Sequence, residues 1–350
     1  MSKPTLKAPK PSFDEILDKV VSAEKCAGCA ACVIVCPIGC LEYAEEKPRL
    51  VNKCTACGIC AKVCPRYDFS LSAIEKFVFG RERKSDEDFG VHRRIAIAQA
   101  SDKSVLQVCQ DGGVVTALLN HALETGFVDS VVVSGVDKDK PFYPVPRLAT
   151  TPEEVLKYAG TRYSYSTNFL AFQEGIKQKK SMAFVGTPCQ IHALRKIEMV
   201  PLKKYSNPLR LTIGLMCTES FTYEGLMKTH IQKELGISLN DISKINIKGK
   251  VLVTTKSGET KTIPLADAKK YTRKGCPPCA DFSSELADIS TGGLGLNGWT
   301  FTIIRTERGE ELFEKVEGEG LIRTRPVEEE NRALDLLIRL SQRKRKNSFL

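Results

Sequence analysis

The chain has 350 residues, a formal charge of +10 and fourteen cysteines. That length holds two or three domains, and no run approaches the ~20 apolar residues of a membrane span. The opening Met-Ser-Lys-Pro-Thr-Leu-Lys has no apolar signal region, so a disulfide scaffold is not expected. A cytoplasmic protein is expected, with docking on the cytoplasmic face of a membrane left open. The positive charge admits nucleic acid, a membrane surface or an acidic ligand, but no nucleic-acid module is present. The one dense basic run, Arg343-Lys344-Arg345-Lys346, reads equally as a solvated helix end or a docking patch.

Residues 1–12 carry three lysines and three prolines and read as a loose arm. Ser12 and Glu15 suggest a capping box on a short helix whose face is Ile16, Leu17, Val20 and Val21. Two cysteine runs follow, one from Cys26 to Pro37 and one from Cys54 to Pro65. Both have C-x2-C-x2-C-x3-C-P spacing, offset by 28 residues (26→54, 29→57, 32→60, 36→64). This is the pattern of a bacterial two-cluster ferredoxin, in which the fourth cysteine of each run ligates the other cluster. Cys26, Cys29, Cys32 and Cys64 are therefore assigned to one 4Fe–4S cluster, and Cys54, Cys57, Cys60 and Cys36 to a second. Zinc also favours paired C-x2-C elements, but four tetrahedral ligands would leave the third cysteine of each run idle. The ferredoxin-like domain is expected over 1–74, and the charge run Arg81–Asp88 places a linker over 75–92.

From about residue 93 the pattern becomes an α/β body. Apolar strands are predicted at 94–98, 131–133, 182–185 and 211–216, with helices at 114–124 and 190–197. Residues 242–264 read as an inserted hairpin turning at Lys256-Ser257-Gly258. Five further cysteines lie in this region. Cys276-Pro-Pro-Cys279 lacks the strand-to-helix setting of a redox dithiol. Cys189 starts a predicted helix and Cys217 ends a strand, so with Cys276 and Cys279 they supply four ligands for a third cubane; structural buried cysteine is the plainer alternative. Cys40 and Cys109 read as small apolar residues. Gly293-Leu-Gly-Leu-Asn-Gly298 matches G-x-G-x-x-G, but a strand follows instead of a helix, so a nicotinamide site is rejected there. Gln110–Gly113 and Gly186-Thr-Pro188 open helices and are better phosphate cradles.

Six separated stretches then appear in one order. They are Gln110–Leu119, Gly160–Asn168, Val185-Gly-Thr-Pro-Cys-Gln190, Cys217, Cys276–Phe282 and Ala287–Gly293. With them, residues 93–305 resemble the beta subunit of coenzyme F420-reducing hydrogenase and its relatives. The resemblance implies FAD, one 4Fe–4S cluster beside it and coenzyme F420 as substrate in that body. It further implies FAD contacts at Gly112, Gly113, Thr116, Thr161, Tyr163, Ser166, Asn168, Gly186, Thr187, Gln190, Asp288 and Ser290. Cys189, Cys217, Cys276 and Cys279 would be its cluster ligands. The fused two-cluster unit is most similar to the electron-input arrangement of an F420H2 dehydrogenase. Such a subunit takes a hydride from reduced F420 onto FAD and passes single electrons to a larger, membrane-associated quinone or phenazine-type reductase. The rivals are an F420-reducing beta subunit of a hydrogenase or formate dehydrogenase, and a flavin-free iron–sulfur subunit. Residues 306–350 are expected to form a helical, basic tail.

Overall fold

The computed structural model describes residues 10–348, and most of the arm expected over 1–12 lies outside them. The N-terminal unit runs α1 (Phe13–Ile16), which continues as a π-helix to Ser22, then α2 (Ala31–Ile34), β1 (Leu41–Ala44), β2 (Lys47–Leu50) and α3 (Ile59–Val63). Ile16, Val20 and Val21 are buried as the periodicity predicts, but Leu17 is exposed, and Phe13, outside the predicted face, is buried with them. The expected capping box is absent: Ser12 makes no cap bond, and Glu15 instead holds Lys19 and Tyr67. Helix α4 (Leu71–Phe79) follows, so residues 75–79 belong to a helix and not to a linker. The rest of the expected linker is pinned. Arg81 pairs with Glu87 at 2.6 Å, and Arg83 bridges Glu75 and the distant Glu285.

The body opens with β3 (Arg94–Ala100), α5 (Lys103–Val108), α6 (Val114–Glu124), β4 (Ser130–Val136), β5 (Pro144–Ala149) and α7 (Pro152–Lys157). It continues through α8 (Phe169–Gln178), β6 (Met182–Gly186), α9 (Pro188–Met199), α10 (Lys203–Ser206) and β7 (Leu209–Leu215). A π-helical stretch, Tyr223–Glu234, leads to β8 (Ile242–Ile247), β9 (Lys250–Thr255), β10 (Thr260–Pro264) and α11 (Leu265–Lys269). The chain returns through β11 (Ile289–Gly292), β12 (Thr300–Ile304), α12 (Glu307–Gly318), β13 (Ile322–Arg325) and α13 (Asn331–Asn347).

Eight strands form one mixed sheet in the order β13-β3-β12-β11-β7-β6-β4-β5. β4, β6, β7 and β11 pair in parallel, and β3 points the same way because β12 runs antiparallel to both β3 and β11. These central strands are apolar on both faces, as sheets covered by helices on both sides are. Where a hairpin was expected over 242–264, the chain adds a third strand, giving the antiparallel sheet β10-β9-β8. The second turn falls at Lys248-Gly249.

The N-terminal unit shares a core with the body. Ala30, Ala31, Ile34, Val35 and Val63 pack with Phe169, Phe172, Phe184, Ile191 and Leu194 in one buried cluster. A fully buried large apolar side chain contributes about 1.5–3 kcal/mol. Ile34, Val35 and Val63 together therefore outweigh any single exposed ion pair across the boundary. Lys196 of α9 adds hydrogen bonds to the carbonyls of Cys64, Tyr67 and Asp68 at 2.7–3.0 Å. Deleting residues 1–90 should accordingly expose this apolar face. The expected result is an aggregating chain on anaerobic size-exclusion chromatography, whereas an independent unit would leave a monodisperse body.

Candidate functional site

Two concave sites gather cysteines. The first is lined by Cys36, Cys54, Cys57 and Cys60 together with Cys40, Phe13 and Leu41. The second is lined by Cys189, Cys217, Cys276 and Cys279. Cys26, Cys29, Cys32 and Cys64 lie between them: Cys26, Cys32 and Cys64 pack in one cluster with Cys36, Cys54 and Cys60, and Ala27, next to Cys26, lines the second site. The three cysteine groups of the sequence thus occupy three neighbouring places in series. Among the described residues no three His, Cys, Asp or Glu side chains converge on a single-ion site.

The backbone explains the tight approach of the groups. Gly275 precedes Cys276, and a Cβ there would sit 2.0 Å from the carbonyl oxygen of Cys26. Only glycine lets the loop of the third group lie directly on the first. Burial pushes the Cys64 thiol up to about 11, the Cys217 thiol up to about 12, and those of Cys29 and Cys32 well above the ordinary value. Left alone these thiols stay protonated; iron would displace the protons. Cys40 and Cys109, the two remaining thiols, are both buried.

The fit of the second concave site to an anionic cluster rests on its charges. Arg66, Arg273 and Lys344 line it. Arg66 is 6% exposed, and its Nε has no partner. Lys344 donates to the carbonyls of Cys217, at 2.6 Å, and Thr218. Arg345 bonds Glu285 at 2.8 Å and the carbonyl of Asp88. The basic run of α13 is therefore divided: Arg343 and Lys346 are exposed, while Lys344 and Arg345 turn inward as part of the site and its support. None of these cations was legible as a site residue in the sequence, because their partners lie 60 or more positions away.

The FAD candidates fall into two groups. Loops 109–113, 186–190 and 293–298 all lie at the carboxyl ends of the parallel strands, where open α/β sheets place ligands. Gly113, at φ +74°, is the N-cap of α6 and offers no side chain to its first N–H groups. The Gly112 N–H is already taken by Thr300 Oγ1 at 3.0 Å. Thr116 is buried on α6. In the loop 160–168 Thr161 is exposed and Tyr163 half-buried. Arg162, which sequence reasoning passed over, has a buried Nε without a partner and donates only to the carbonyls of Tyr158 and Ala159.

Gln190 ties this loop to the start of α9. Its amide nitrogen donates to the Ser166 carbonyl at 2.6 Å, and its oxygen accepts from the Thr187 N–H at 3.1 Å. Asn168 donates to the Val185 carbonyl and accepts from Ser166 Oγ. Gly186 ends β6 just before this cap. Asp288 and Ser290 are not with these crevice residues. Both are 0% exposed, and their bonds run to Arg195, Arg308, Thr212 and Thr306 for Asp288 and to Ser284 and Arg305 for Ser290. Over the crevice, Gln110 donates to the Ile245 carbonyl of β8 at 3.2 Å, and Lys244 to the Gln110 carbonyl at 3.1 Å. The loop 293–298 leads into β12, a strand, as expected.

Comparison with known proteins defines the class. Residues 95–173 match the N-terminal part, and residues 179–330 the C-terminal part, of the family described as coenzyme F420 hydrogenase/dehydrogenase, beta subunit. The chain belongs to this family. A coenzyme F420 hydrogenase subunit beta of Methanococcus voltae is 38% identical over 264 residues, covering 74% of this chain and 94% of that protein. An F(420)H(2) dehydrogenase subunit of Methanosarcina mazei is 31% identical over 338 residues, covering 94% of this chain and 92% of that protein. Among solved structures, a chain of the F420-reducing [NiFe] hydrogenase complex from Methanosarcina barkeri superposes with TM-score 0.72 at 36% identity, covering 76% of this chain and 92% of that one. Among the described residues no helix is long and apolar enough to cross a membrane.

Proposed function

We propose that this protein oxidises reduced coenzyme F420 through a bound FAD and delivers single electrons, through three 4Fe–4S clusters, to a partner complex. The observation that carries this reading is the unbroken series of cysteine groups. It begins beside the sheet crevice with Cys189, Cys217, Cys276 and Cys279, passes through the group of Cys64, and ends with the group of Cys54. Ile38, 48% exposed, lies at that outer end and offers a surface for the acceptor. FAD supplies the conversion of a two-electron donor into one-electron steps. Gly113 and the first turn of α6 would hold its diphosphate, with Arg162 as the nearby cation. Gln190 and Asn168 fix the loop that would border it. Lys244 and Lys248, on and just after β8, give the roof of the crevice the positive charge that a phosphate and glutamate tail requires.

The extent of the matches favours electron input over F420 reduction. The hydrogenase relative accounts for about three quarters of this chain, while the dehydrogenase relative spans nearly all of it, cysteine-rich front included. The reverse direction, as a beta subunit of a hydrogenase or formate dehydrogenase, is the second reading; the 38% identity to the hydrogenase subunit supports it. Anaerobic assays with purified protein and a viologen acceptor test the donor. Reduced F420 should turn over, and NADH and NADPH should run at least tenfold slower. Equal rates with NADH would contradict the rejection of a nicotinamide site at the loop 293–298.

A further inference from the structure

Two of the buried guanidinium groups, Arg195 and Arg273, come with carboxylates, and Arg305 spreads its bonds over two carbonyls and two hydroxyls; Arg66 has neither arrangement. Arg195 has Asp288 at 3.0 Å and Glu198 at 2.7 Å, and Arg273 has Glu46 at 2.8 Å. Among the described residues Arg66 forms no ion pair; its one hydrogen bond there goes to the Gly275 carbonyl at 3.4 Å, and its Nε is unpartnered. An uncompensated buried charge costs several kcal/mol. The groups beside it are the thiols of Cys189, Cys276 and Cys279. Arg66 stands two residues after Cys64, in the N-terminal unit and outside both matched family ranges.

We infer that Arg66 is the counter-cation of the cluster held by Cys189, Cys217, Cys276 and Cys279, and that it raises the reduction potential of that cluster. This rests on the reading of those four cysteines as cluster ligands. A 4Fe–4S centre with four thiolates is an anion that gains one further negative charge on reduction. A fixed guanidinium in a dry site favours that extra charge, since net charge and burial are among the levers on cluster potential. Arg273 is neutralised by Glu46; Lys344, which also lines the site, keeps its charge while donating to two carbonyls, so Arg66 is the uncompensated cation that the N-terminal unit contributes. Its place in the chain adds a consequence. The centre nearest the crevice reaches its working potential only when the N-terminal unit is seated, so the donor side and the exit wire are tuned together. Arg66 acts here as a positioning charge and touches no substrate.

The test is an anaerobic potentiometric titration of the full chain followed by electron paramagnetic resonance, with Cys276→Ala identifying the third cluster's signal. Arg66→Gln should lower that cluster's potential enough to change its reduced-to-oxidised ratio about tenfold at the wild-type midpoint, about 59 mV for one electron. Arg66→Lys should restore most of the shift, and the other two clusters should move less. An unmoved midpoint in Arg66→Gln with iron retained would overturn the inference while leaving the cluster assignment intact. A spectrum and iron content unchanged by Cys276→Ala would instead remove the cluster itself. If Arg66→Gln loses iron, pulsed spectroscopy of the wild-type chain with 15N-guanidino arginine decides. A nitrogen coupling to the reduced third cluster that disappears in Arg66→Lys supports the inference, and no such coupling overturns it.

Discussion

Asp288→Asn should lower the anaerobic melting temperature by about 5–15 °C, the equivalent of about 3–5 kcal/mol for breaking a buried ion network. The carboxylate is wholly enclosed. Its Oδ1 accepts from Arg195, Arg308 and Thr306 at 2.8–3.0 Å, and its Oδ2 accepts from the Thr212 N–H at 2.7 Å and from its hydroxyl at 2.8 Å. An asparagine would turn an N–H toward one set of donors and leave Arg195, itself 2% exposed, with Glu198 alone. The network ties β7, α9 and α12 to the start of β11, so it fixes the strand that leads into the crevice. The pH sign follows from the same contacts. The Arg195 and Arg308 guanidinium groups and the bonds from Arg308 and Thr212 outweigh burial and hold the Asp288 carboxyl far below the usual carboxylate range. Its contribution is complete above the unfolded value of about 3.9 and is lost as pH falls from there toward the depressed folded value. The wild-type stability curve should therefore drop below about pH 4 more steeply than that of Asp288→Asn. Parallel curves would mean that the network contributes little.

Cys276→Ala should remove one cluster and leave two, with iron falling from about twelve to about eight per chain and acid-labile sulfide falling in step. The second concave site makes the loss local. Cys276 Sγ accepts from the Ser220 N–H at 3.3 Å, and its loop lies on Cys26 through Gly275. The N-terminal groups keep all eight of their own thiols. The variant should still bind flavin and still show the paired signals of two interacting clusters, yet pass electrons to them slowly. Iron that stays near eight in the wild type would remove the third cluster outright.

What the sequence disclosed follows the range of each interaction. The two ferredoxin-type groups were legible because a cluster of that type takes three of its four ligands from one tight loop, so chemistry fixes the spacing. The α/β body was legible from its apolar strand runs, since strands covered on both faces are continuous in hydrophobicity. The third group needed Cys189, Cys217 and Cys276-Pro-Pro-Cys279 to be recognised together across nearly a hundred positions. The charges around it stayed hidden. Arg66, Lys344 and Arg345 look like surface residues until the partners at Gly275, Cys217 and Glu285 are beside them. The pinning of the run Arg81–Asp88 stayed hidden for the same reason, because Arg83 finds Glu285 only in the folded chain. Ser12 and Glu15 had the letters of a capping box, but Glu15 is drawn away by Lys19 and Tyr67. Asp288 lies within one of the matching stretches, yet its bonds show it holding strands and helices together.

The central claim is that reduced F420 feeds a flavin wired to the clusters. Its most direct test is an anaerobic titration of the oxidised protein with reduced F420, followed by optical and electron paramagnetic resonance spectra on the same samples. The flavin band should bleach, and signals of reduced 4Fe–4S clusters should then appear without any mediator, in the full chain and at substoichiometric donor. Clusters that dithionite reduces but reduced F420 leaves oxidised, or a protein purified with iron and no flavin, would contradict the account.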